Sequence, residues 1–329
     1  MTTLAPILEA FFTERLMTQR QASPNTIAAY RDTFTLLLGY ALHHTGKHPA
    51  QLDINDLDAP LIGGFLQHLE TDRGNSVTTR NARLAAIHSL FRYAALRAPE
   101  HAALIARVLA IPSKRHHRPI LCYLTPEETQ ALLAAPDPTT WTGRRDHALL
   151  LLATQTGLRV SELIGLTIHD THLGTGPHVR CVGKGRKQRC TPLTSQTVTV
   201  LRSWLTERTG HDHDPLFPTR RGQRLSRDAI ERLLTKHTAT ATQHCPTLQT
   251  KKISPHVLRH TAAMSLLHAG VDTTVIALWL GHESPTTTRI YLHADLAMKE
   301  RALARTTPPN TTPGRYHAPD TLLTFLKQL

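Results

Sequence analysis

The chain has 329 residues, 40% of them apolar, which is enough for two domains with hydrophobic cores of their own. Its formal net charge is +13, and residues 113–305 hold 26 Lys and Arg against 15 Asp and Glu, whereas residues 1–112 hold 10 against 9. This excess indicates a polyanionic partner, with nucleic acid as the first candidate and a soluble basic protein as the alternative. Aromatic residues make up only 5%, which argues against a protein that binds single strands by stacking on their bases. Binding to the backbone of a duplex needs no aromatic residues and remains compatible with this composition.

Cysteines and apolar runs place further limits on the class of protein. The four cysteines have no CxxC spacing, which argues against a zinc or redox site and favours reduced thiols in the cytosol. The first residues lack a basic stretch before an apolar run, and the densest apolar run, residues 148–153, is too short to span a bilayer. Residues 211–214, HDHD, lack flanking ligand spacing, so a metalloprotein is a minor alternative. We expect a cytoplasmic protein with no membrane segment and no bound metal.

Residues 1–108 are predicted to be mainly helical. Ser23 and Pro24 suit the cap and the first turn of a helix, and apolar residues then recur at helical spacing. A further helix is predicted over residues 77–95, with an apolar stripe along one side. Two arginines lie off this stripe, either on a solvated face or on a face turned toward DNA: Arg80 and Arg83.

Residues 109–123 interrupt the helical pattern. Two prolines bracket a run of basic residues, which predicts an extended segment rather than a helix. A basic extended linker between two domains suits a protein that wraps around a duplex, and an ordinary surface linker is the alternative. The candidate DNA contacts in this segment are Lys114, Arg115 and Arg118.

Residues 124–305 are predicted to form a second domain that is mainly helical but contains a small β-sheet. Thr125 and Pro126 mark a helix start, with acidic residues in the first turn. The helix that carries residues 146–156 is apolar along one side and is expected to lie in the core.

The clearest strand signal in this domain is a β-hairpin. Residues 179–182 and 188–193 flank a turn that contains two glycines. Lys184 lies between these glycines and has little around it to pack against, which suits a side chain that reaches into a groove. The other basic residues of the turn fit a solvated loop or DNA contacts, and the candidate contacts are Arg186 and Lys187.

Arg159 lies at a predicted junction between two helices, because Gly157 suits the end of one helix and the next begins after it. Glu162 follows three residues later, so it can share a helical face with Arg159 and orient the guanidinium. A purely structural Arg–Glu pair is the alternative for this motif alone.

His256 and Arg259 lie three residues apart near another predicted helix start, where Ser254 suits the cap and Pro255 the first turn. They are expected to share one face at the helix N-terminus, a position that favours anions. The adjacent His260 is expected to point elsewhere and to be structural.

Gly281 is predicted to end the helix that begins after Asp272. The residues of this helix that are expected to lie in the core are Val275, Ile276, Leu278 and Trp279. His282 follows the glycine directly, and Tyr291 comes nine residues later. Taken alone, a tyrosine between two aliphatic residues is typical of a half-buried core position.

Six of these residues, taken in order, resemble the catalytic signature of the tyrosine recombinases, or phage integrases: Arg159, Lys184, His256, Arg259, His282 and Tyr291. The resemblance extends over residues 5–300 and includes the helical N-terminal half and the proline-bracketed linker. It implies a mainly helical protein with a small β-sheet, in which two domains clamp DNA. Residues 306–329 fall outside it and are expected to form a flexible spacer and a short helix from Asp320 to Leu329.

The resemblance also implies a reaction that needs no metal, nucleotide or other cofactor. Tyr291 would attack the scissile phosphate, form a 3′-phosphotyrosyl link and release a 5′-hydroxyl. Arg159 and Arg259 would clamp the non-bridging phosphate oxygens, Lys184 would protonate the departing 5′ oxygen, and His256 would act as base or proton shuttle. His282 would hydrogen-bond the phosphate in the transition state, and Glu162 would support Arg159.

The implied partner is double-stranded DNA that carries a specific recombination site. Four protomers would assemble on two such sites and exchange strands through a Holliday junction, with the C-terminal helix docked on a neighbour. A bacterial, nucleoid-associated recombinase of a mobile element is the expected role. The alternatives are an Xer-type dimer resolvase, a type IB topoisomerase and a non-catalytic DNA-binding regulator.

Overall fold

A computed structural model of the chain describes residues 3–115, 121–183 and 187–282, together with Thr288 and Tyr291. The chain divides into two compact units, Met1–Pro119 and Ile120–Leu329. Each unit has a hydrophobic core of its own. Within the described parts of the chain, each helix is too short or too polar to cross a bilayer.

The described residues of the first unit form helices, apart from short turns and bridges. Its elements are α1 (Leu4–Ala10), continued by π-helical turns over Phe11–Gln19, then α2 (Pro24–Thr45), α3 (Ala59–Thr71), α4 (Val77–Ala94) and α5 (Ala102–Leu109). The predicted helix start at Ser23 is confirmed, because its hydroxyl accepts a hydrogen bond from the Thr26 amide at 3.2 Å. The predicted helix over residues 77–95 is confirmed as α4 and ends one residue earlier.

The core of the first unit is formed by large side chains that α1 to α5 turn inward. Phe11, Leu37 and Phe65 are fully buried, as are Leu84 and Ile87 on α4. Because α4 carries these residues on one side at helical spacing, it packs against α2, α3 and α5 at once.

The second unit holds seven helices among the described residues: α6 (Pro126–Ala134), α7 (Trp141–Thr156), α8 (Val160–Gly165), α9 (Ser195–Arg208), α10 (Arg227–Thr242), α11 (Pro255–His268) and α12 (Thr273–Leu280). The predicted start of α6 is confirmed, with Thr125 and Glu128 capping each other. Helix α7 is buried along most of its length and packs against α9 and α11, as its apolar pattern predicts.

A small antiparallel sheet lies beside these helices, with strand order β1 (Thr171–His172), β2 (His178–Val182) and β3 (Gln188–Pro192). The predicted hairpin is confirmed as β2 and β3, in a register that pairs Cys181 with Arg189. Strand β1 was not predicted, because two residues are too few to show an alternating pattern. The fold class, mainly α with a small β-sheet, is therefore confirmed.

Helix α12 departs from the core residues expected for it. Ile276 and Leu280 are buried, but Val275 is 48% exposed and Leu278 is 73% exposed. The expectation was wrong for these two residues because the helix is apolar on every side. Hydrophobic periodicity cannot identify the buried side of such a helix. The predicted C-terminal helix from Asp320 to Leu329 lies outside the described residues.

Candidate active site

The second unit brings five of the six signature residues into one region, around the end of α12. Arg159 and Arg259 donate hydrogen bonds to the last carbonyls of this helix. The charges of the two arginines also act on His282 and Tyr291, which lie close by. His256 lies at the start of α11. Lys184, the sixth residue, and the neighbouring candidate Arg186 lie outside the described residues.

Arg159 occupies the N-cap position of α8, as predicted, because Gly157 ends α7 in a left-handed conformation with φ 63°. Its Nη1 donates to Glu162 Oε1 at 2.9 Å, and its backbone amide donates to Glu162 Oε2 at 2.8 Å. The predicted Arg–Glu pair is therefore present. Glu162 fixes the main chain and the side chain of Arg159 together.

Arg259 is buried, with 4% of its surface exposed, and it donates to two backbone carbonyls. Nη1 donates to Gly157 O and Nη2 to Leu280 O, both at 2.7 Å. Burial, together with the charge of Arg159, lowers the pKa of Arg259 to about 10. The group still carries its proton at neutral pH, so two guanidinium cations lie close together.

The end of α12 supplies the counterpart of these cations. Three consecutive carbonyls each accept a hydrogen bond from a different arginine: Trp279 O from Arg189, Leu280 O from Arg259 and Gly281 O from Arg159. The last carbonyls of a helix have no partner within the helix and carry the negative end of its dipole. They can therefore hold cations in place without neutralising them.

Tyr291 is 1% exposed and lies between two histidines. Its hydroxyl lies 3.2 Å from Nδ1 of His260, and its ring stacks on that of His282 with centroids 6.4 Å apart. His282 Nδ1 in turn lies 2.8 Å from Thr288 Oγ1. The expectation that His260 points away from the site was wrong. One turn of α11 separates it from His256, and it faces the tyrosine.

Burial sets the protonation of these groups. Together with neighbouring positive charge, including that of Arg259 in both cases, burial lowers the pKa of His260 and His282 to about 4. It raises the pKa of Tyr291, although Arg259 and Arg159 counteract part of this rise. At neutral pH the site therefore holds a protonated tyrosine and two neutral histidines beside permanent cations.

His256 is exposed at the first turn of α11, with its ring 6.3 Å from that of His260. It lines an open cavity of about 270 Å³ together with Arg159, Ser161 and Ser254. The cavity thus has a guanidinium and a helix N-terminus at its walls, two features that attract phosphate oxygens.

Arg189 is a residue that the sequence did not single out. Its guanidinium donates to Glu162 Oε1 at 2.9 Å and to Oε2 at 2.7 Å, so Glu162 holds both Arg159 and Arg189. Burial acts to raise the pKa of Glu162, but hydrogen bonds from Arg189 and from the Arg159 amide outweigh burial, so the pKa lies below its ordinary value. The carboxylate is therefore ionised. The only available sequence signal was the place of Arg189 on a predicted strand beside a basic turn.

The candidate DNA contacts are in varied surroundings. Arg80 is 6% exposed and donates to Pro112 O at 3.0 Å, so the expectation of an arginine on a solvated or DNA-facing side is corrected. The segment after α5 covers it. Lys114 is exposed but lies 2.6 Å from Glu70. Arg83 is half-buried, and within the described residues its Nη1 has no hydrogen-bond partner. Arg115 and Lys187 are also exposed, and Arg118 lies outside the described residues.

Comparison with known proteins places the chain in a family. The phage integrase family model matches residues 122–298, and the N-terminal SAM-like domain of phage integrases matches residues 10–98. A Sinorhizobium fredii protein named integrase/recombinase y4rC is 56% identical over 326 residues, which cover 99% of this chain and 98% of the relative. The chain belongs to the phage integrase family of tyrosine recombinases.

More distant members of the family resemble the chain over most of its length. Tyrosine recombinase XerC of Pelobacter propionicus is 33% identical over 313 residues, covering 94% of this chain and 99% of the relative. Among solved structures, the XerH recombinase bound to a palindromic difH substrate after cleavage has a TM-score of 0.68 at 23% identity. That match covers 87% of this chain and 81% of XerH. At this identity the likeness shows a shared fold.

Proposed function

We propose that this tyrosine recombinase cuts and rejoins duplex DNA at a specific site, with Tyr291 as its nucleophile. The observation that carries the proposal is the convergence at the end of α12. Two guanidinium groups, from Arg159 and Arg259, are held there beside a buried tyrosine. Cations gathered around one nucleophile suit attack on a phosphodiester, where negative charge develops on the non-bridging oxygens.

The proposed reaction exchanges one phosphodiester for another. The Tyr291 oxygen forms a bond to the scissile phosphorus, and the bond between phosphorus and the 5′ oxygen breaks. Tyr291 gives up its proton to a base, for which we propose His256, and Lys184 protonates the departing 5′ oxygen. Arg159 and Arg259 clamp the non-bridging oxygens, and His282 donates to one of them. The 3′-phosphotyrosyl link preserves the bond energy for rejoining, so the exchange consumes neither nucleotide nor metal.

Movement of Tyr291 is part of this proposal. Its side chain is 1% exposed, so a DNA phosphate cannot reach the hydroxyl in the arrangement that the structure describes. The tyrosine must leave its place against His260 before it attacks. Binding energy from DNA would drive this change, since a ligand shifts an equilibrium toward the state that it binds better.

The two units have separate proposed tasks. Residues 1–108 would bind DNA as a core-binding domain, residues 109–123 would link the domains along the duplex, and residues 124–305 would carry the reaction. The charge distribution supports DNA contact by the linker and the second unit, because the basic excess lies in residues 113–305. Proposed DNA contacts are Arg83, Lys114, Arg115, Arg118, Arg186 and Lys187.

We also propose that four protomers act together on two DNA sites, with a tail of residues 306–329 that reaches a neighbour through the segment from Asp320 to Leu329. Truncation after Arg305 is expected to spare cleavage of a single site but to impair synapsis of two. Equal recombination with and without the tail would contradict this role. Native gels of protein–DNA complexes measure the synapsis directly.

A mobile element in a bacterial cytoplasm is the proposed setting, with the protein at the nucleoid. The relative that is 56% identical carries an integrase/recombinase name, whereas the relative that is 33% identical is a XerC recombinase. Resolution of replicon dimers is therefore the second candidate. Mapping the sequence that the purified protein cuts separates the two, since an element end and a chromosomal or plasmid resolution site differ in location.

The direct test is a suicide substrate, a duplex nicked close to the scissile phosphate. Cleavage releases a short strand that diffuses away, so a covalent protein–DNA adduct accumulates. The wild-type protein is expected to form the adduct, whereas Tyr291→Phe binds the same DNA equally well and forms none. An adduct in the Tyr291→Phe protein would sink the assignment of the nucleophile.

A further inference from the structure

Arg189 connects three elements of the candidate site: β3, α8 and α12. It starts from β3, and only 13% of its side chain is exposed. Its two terminal nitrogens donate to both oxygens of Glu162, and its Nε donates to Trp279 O at 3.2 Å. A bidentate guanidinium–carboxylate pair has fixed geometry, so this side chain joins β3, α8 and α12 rigidly.

Two glycines leave room for this side chain. A Cβ at Gly281 would lie 2.8 Å from Arg189 Nη1, closer than real Cβ atoms come. A Cβ at Gly183 would lie 3.2 Å from the same nitrogen and 3.2 Å from Glu162 Oε1. Arg189 therefore passes between the end of β2 and the end of α12. In sequence, Gly183 precedes Lys184 and Gly281 precedes His282.

The charges around Glu162 give Arg189 a specific task. Glu162 is one carboxylate shared by two guanidinium groups, Arg159 with one of its terminal nitrogens and Arg189 with two. If Arg189 were lost, the carboxylate of Glu162 would keep its hydrogen bonds from the Arg159 amide and from Arg159 Nη1, and its vacated acceptor positions could take a bidentate hold on the Arg159 guanidinium. That hold would draw the guanidinium away from the phosphate, and Trp279 O would also lose its donor.

We propose that Arg189 is a positioning residue for the phosphoryl transfer, which sets Arg159 through Glu162 and aligns the ends of β2 and α12 with it. The inference rests on the proposed function, since it concerns the alignment of Arg159 and His282 on a phosphate. Arg189 itself does not touch the reacting atoms. Its effect is expected in the rate of the chemical step rather than in DNA affinity.

The experiment compares Arg189→Met and Arg189→Lys with the wild-type protein on the suicide substrate at saturating DNA. Arg189→Met is expected to slow adduct formation by about 10²-fold, the loss associated with a misplacement of about 1 Å. Its Kd for DNA should stay within about threefold of the wild-type value, because Arg189 makes no predicted DNA contact. Arg189→Lys restores the charge but not the fork, so it is expected to recover only part of the rate.

Arg144→Met is the matched control. Arg144 forms the same kind of bidentate pair with Glu207, at 2.7 and 2.6 Å, away from the signature residues of the same unit. Its loss is expected to leave the cleavage rate unchanged. If Arg189→Met fails to fold, the Lys variant decides the question alone, because a lysine keeps one cation beside Glu162.

A double-mutant cycle with Arg159→Ala tests the route of the effect. If Arg189 acts mainly through Arg159, the Arg159→Ala/Arg189→Met protein cleaves about as slowly as the Arg159→Ala protein. Because both proteins are slow, adduct formation is followed over hours. The proposal would be overturned if the rate losses of the two single variants multiply in the double variant. It would also be overturned if Arg189→Met and Arg189→Lys both cleave at the wild-type rate. Absence of any adduct with the wild-type protein would instead refute the proposed function, so the two failures are distinguishable.

Discussion

Two buried polar clusters in the second unit differ in their balance of charge. The balanced cluster consists of Arg145, Asp146 and His237. One guanidinium donates twice to Asp146 Oδ1, at 2.9 and 2.7 Å, and His237 Nε2 lies 2.9 Å from Asp146 Oδ2. Its cation and its carboxylate satisfy each other, as expected of a structural cluster.

The cationic cluster consists of Arg159, Arg189, Arg259 and Glu162. Among the described residues it sets three guanidinium groups against one carboxylate, with backbone carbonyls of α7 and α12 as the other acceptors. Carbonyl dipoles hold cations but leave their charge in place. The excess of positive charge is unfavourable in the free protein and is expected to attract an anion, so imbalance rather than burial distinguishes the site from the core.

The largest effect on stability is expected in the balanced cluster. Asp146→Ala leaves the Arg145 guanidinium, which is 8% exposed, buried without its partner. The expected loss is about 3–5 kcal/mol of the free energy of unfolding, measured with denaturant. The folded fraction should cleave DNA at the wild-type rate, because Asp146 lies about 16 Å along α7 from Gly157 at 1.5 Å per residue.

The double variant Arg145→Met/Asp146→Ala serves as the control for this prediction. It removes the unpaired cation together with its partner and is expected to be more stable than Asp146→Ala. A single variant as stable as the wild type would show that the balanced cluster does not depend on its charge pair.

The opposite outcome is expected in the cationic cluster. Arg259→Gln removes one phosphate clamp, so cleavage should slow by about 10²–10³-fold, as for the loss of an oxyanion donor. Because burial and Arg159 lower the pKa of Arg259 to about 10, its charge does not favour folding. The free energy of unfolding should therefore change by only about 1 kcal/mol, less than for Asp146→Ala.

Single-turnover cleavage and denaturant unfolding of the same Arg259→Gln preparation measure both effects. Arg259→Lys keeps the charge without the fork and tests whether geometry or charge matters more. A Gln variant that cleaves at the wild-type rate would mean that the cationic cluster is structural, like the balanced one.

Much of the fold and of the site could be predicted because the signals are local. A cap followed by a proline marks a helix start at Ser23 and again at Thr125, since both residues act on the backbone beside them. The turn at Gly157 likewise places Arg159 at a helix start and Glu162 three residues on, within reach. Chain spacing fixes such contacts without any knowledge of the tertiary structure.

The rest depends on contacts between distant segments. Arg80 lies off an apolar stripe and is nevertheless buried, because Pro112 and its neighbours cover it 32 residues later in the chain. Arg189 reads as one more basic residue of a hairpin until Glu162 and Trp279 come within reach of its guanidinium. Similarly, the sequence predicts only a structural role for His260, because Tyr291 comes beside it only in the folded chain.

The two neutral histidines of the site make the stability of the folded protein depend on pH. His260 and His282 have a folded pKa of about 4, whereas an unfolded histidine titrates near about 6.5. Between these values the unfolded chain binds more protons, so stability is fully present above about pH 6.5 and falls as the pH drops toward 4. Protonation there would add positive charge to a region that already has an excess.

His260→Gln is the test, because an amide can still hydrogen-bond Tyr291 but does not titrate. The thermal midpoint Tm of the wild type is expected to fall from pH 6.5 to 4, and the variant should show a smaller fall, since the contribution of His260 is removed while His282 and the other titrating groups remain. His268→Gln, on the same helix, is the comparison variant. If the pH dependence of Tm is the same in His260→Gln as in the wild type, His260 is not a buried histidine that folding keeps neutral.

The smallest expected effect is the response of the free protein to an anion. If the cationic cluster lacks a counter-ion, inorganic phosphate should bind there and raise the Tm, by about 1.4 kcal/mol of stability when its concentration is about ten times the Kd. That stabilisation corresponds to roughly 3–6 °C for a domain of this size. Sodium chloride at equal ionic strength separates binding from screening, and Arg159→Ala should lose most of the shift while Arg144→Met keeps it. If Arg159→Ala is stabilised as much as the wild type, the anion binds elsewhere, and the excess charge at the end of α12 is not what receives a phosphate.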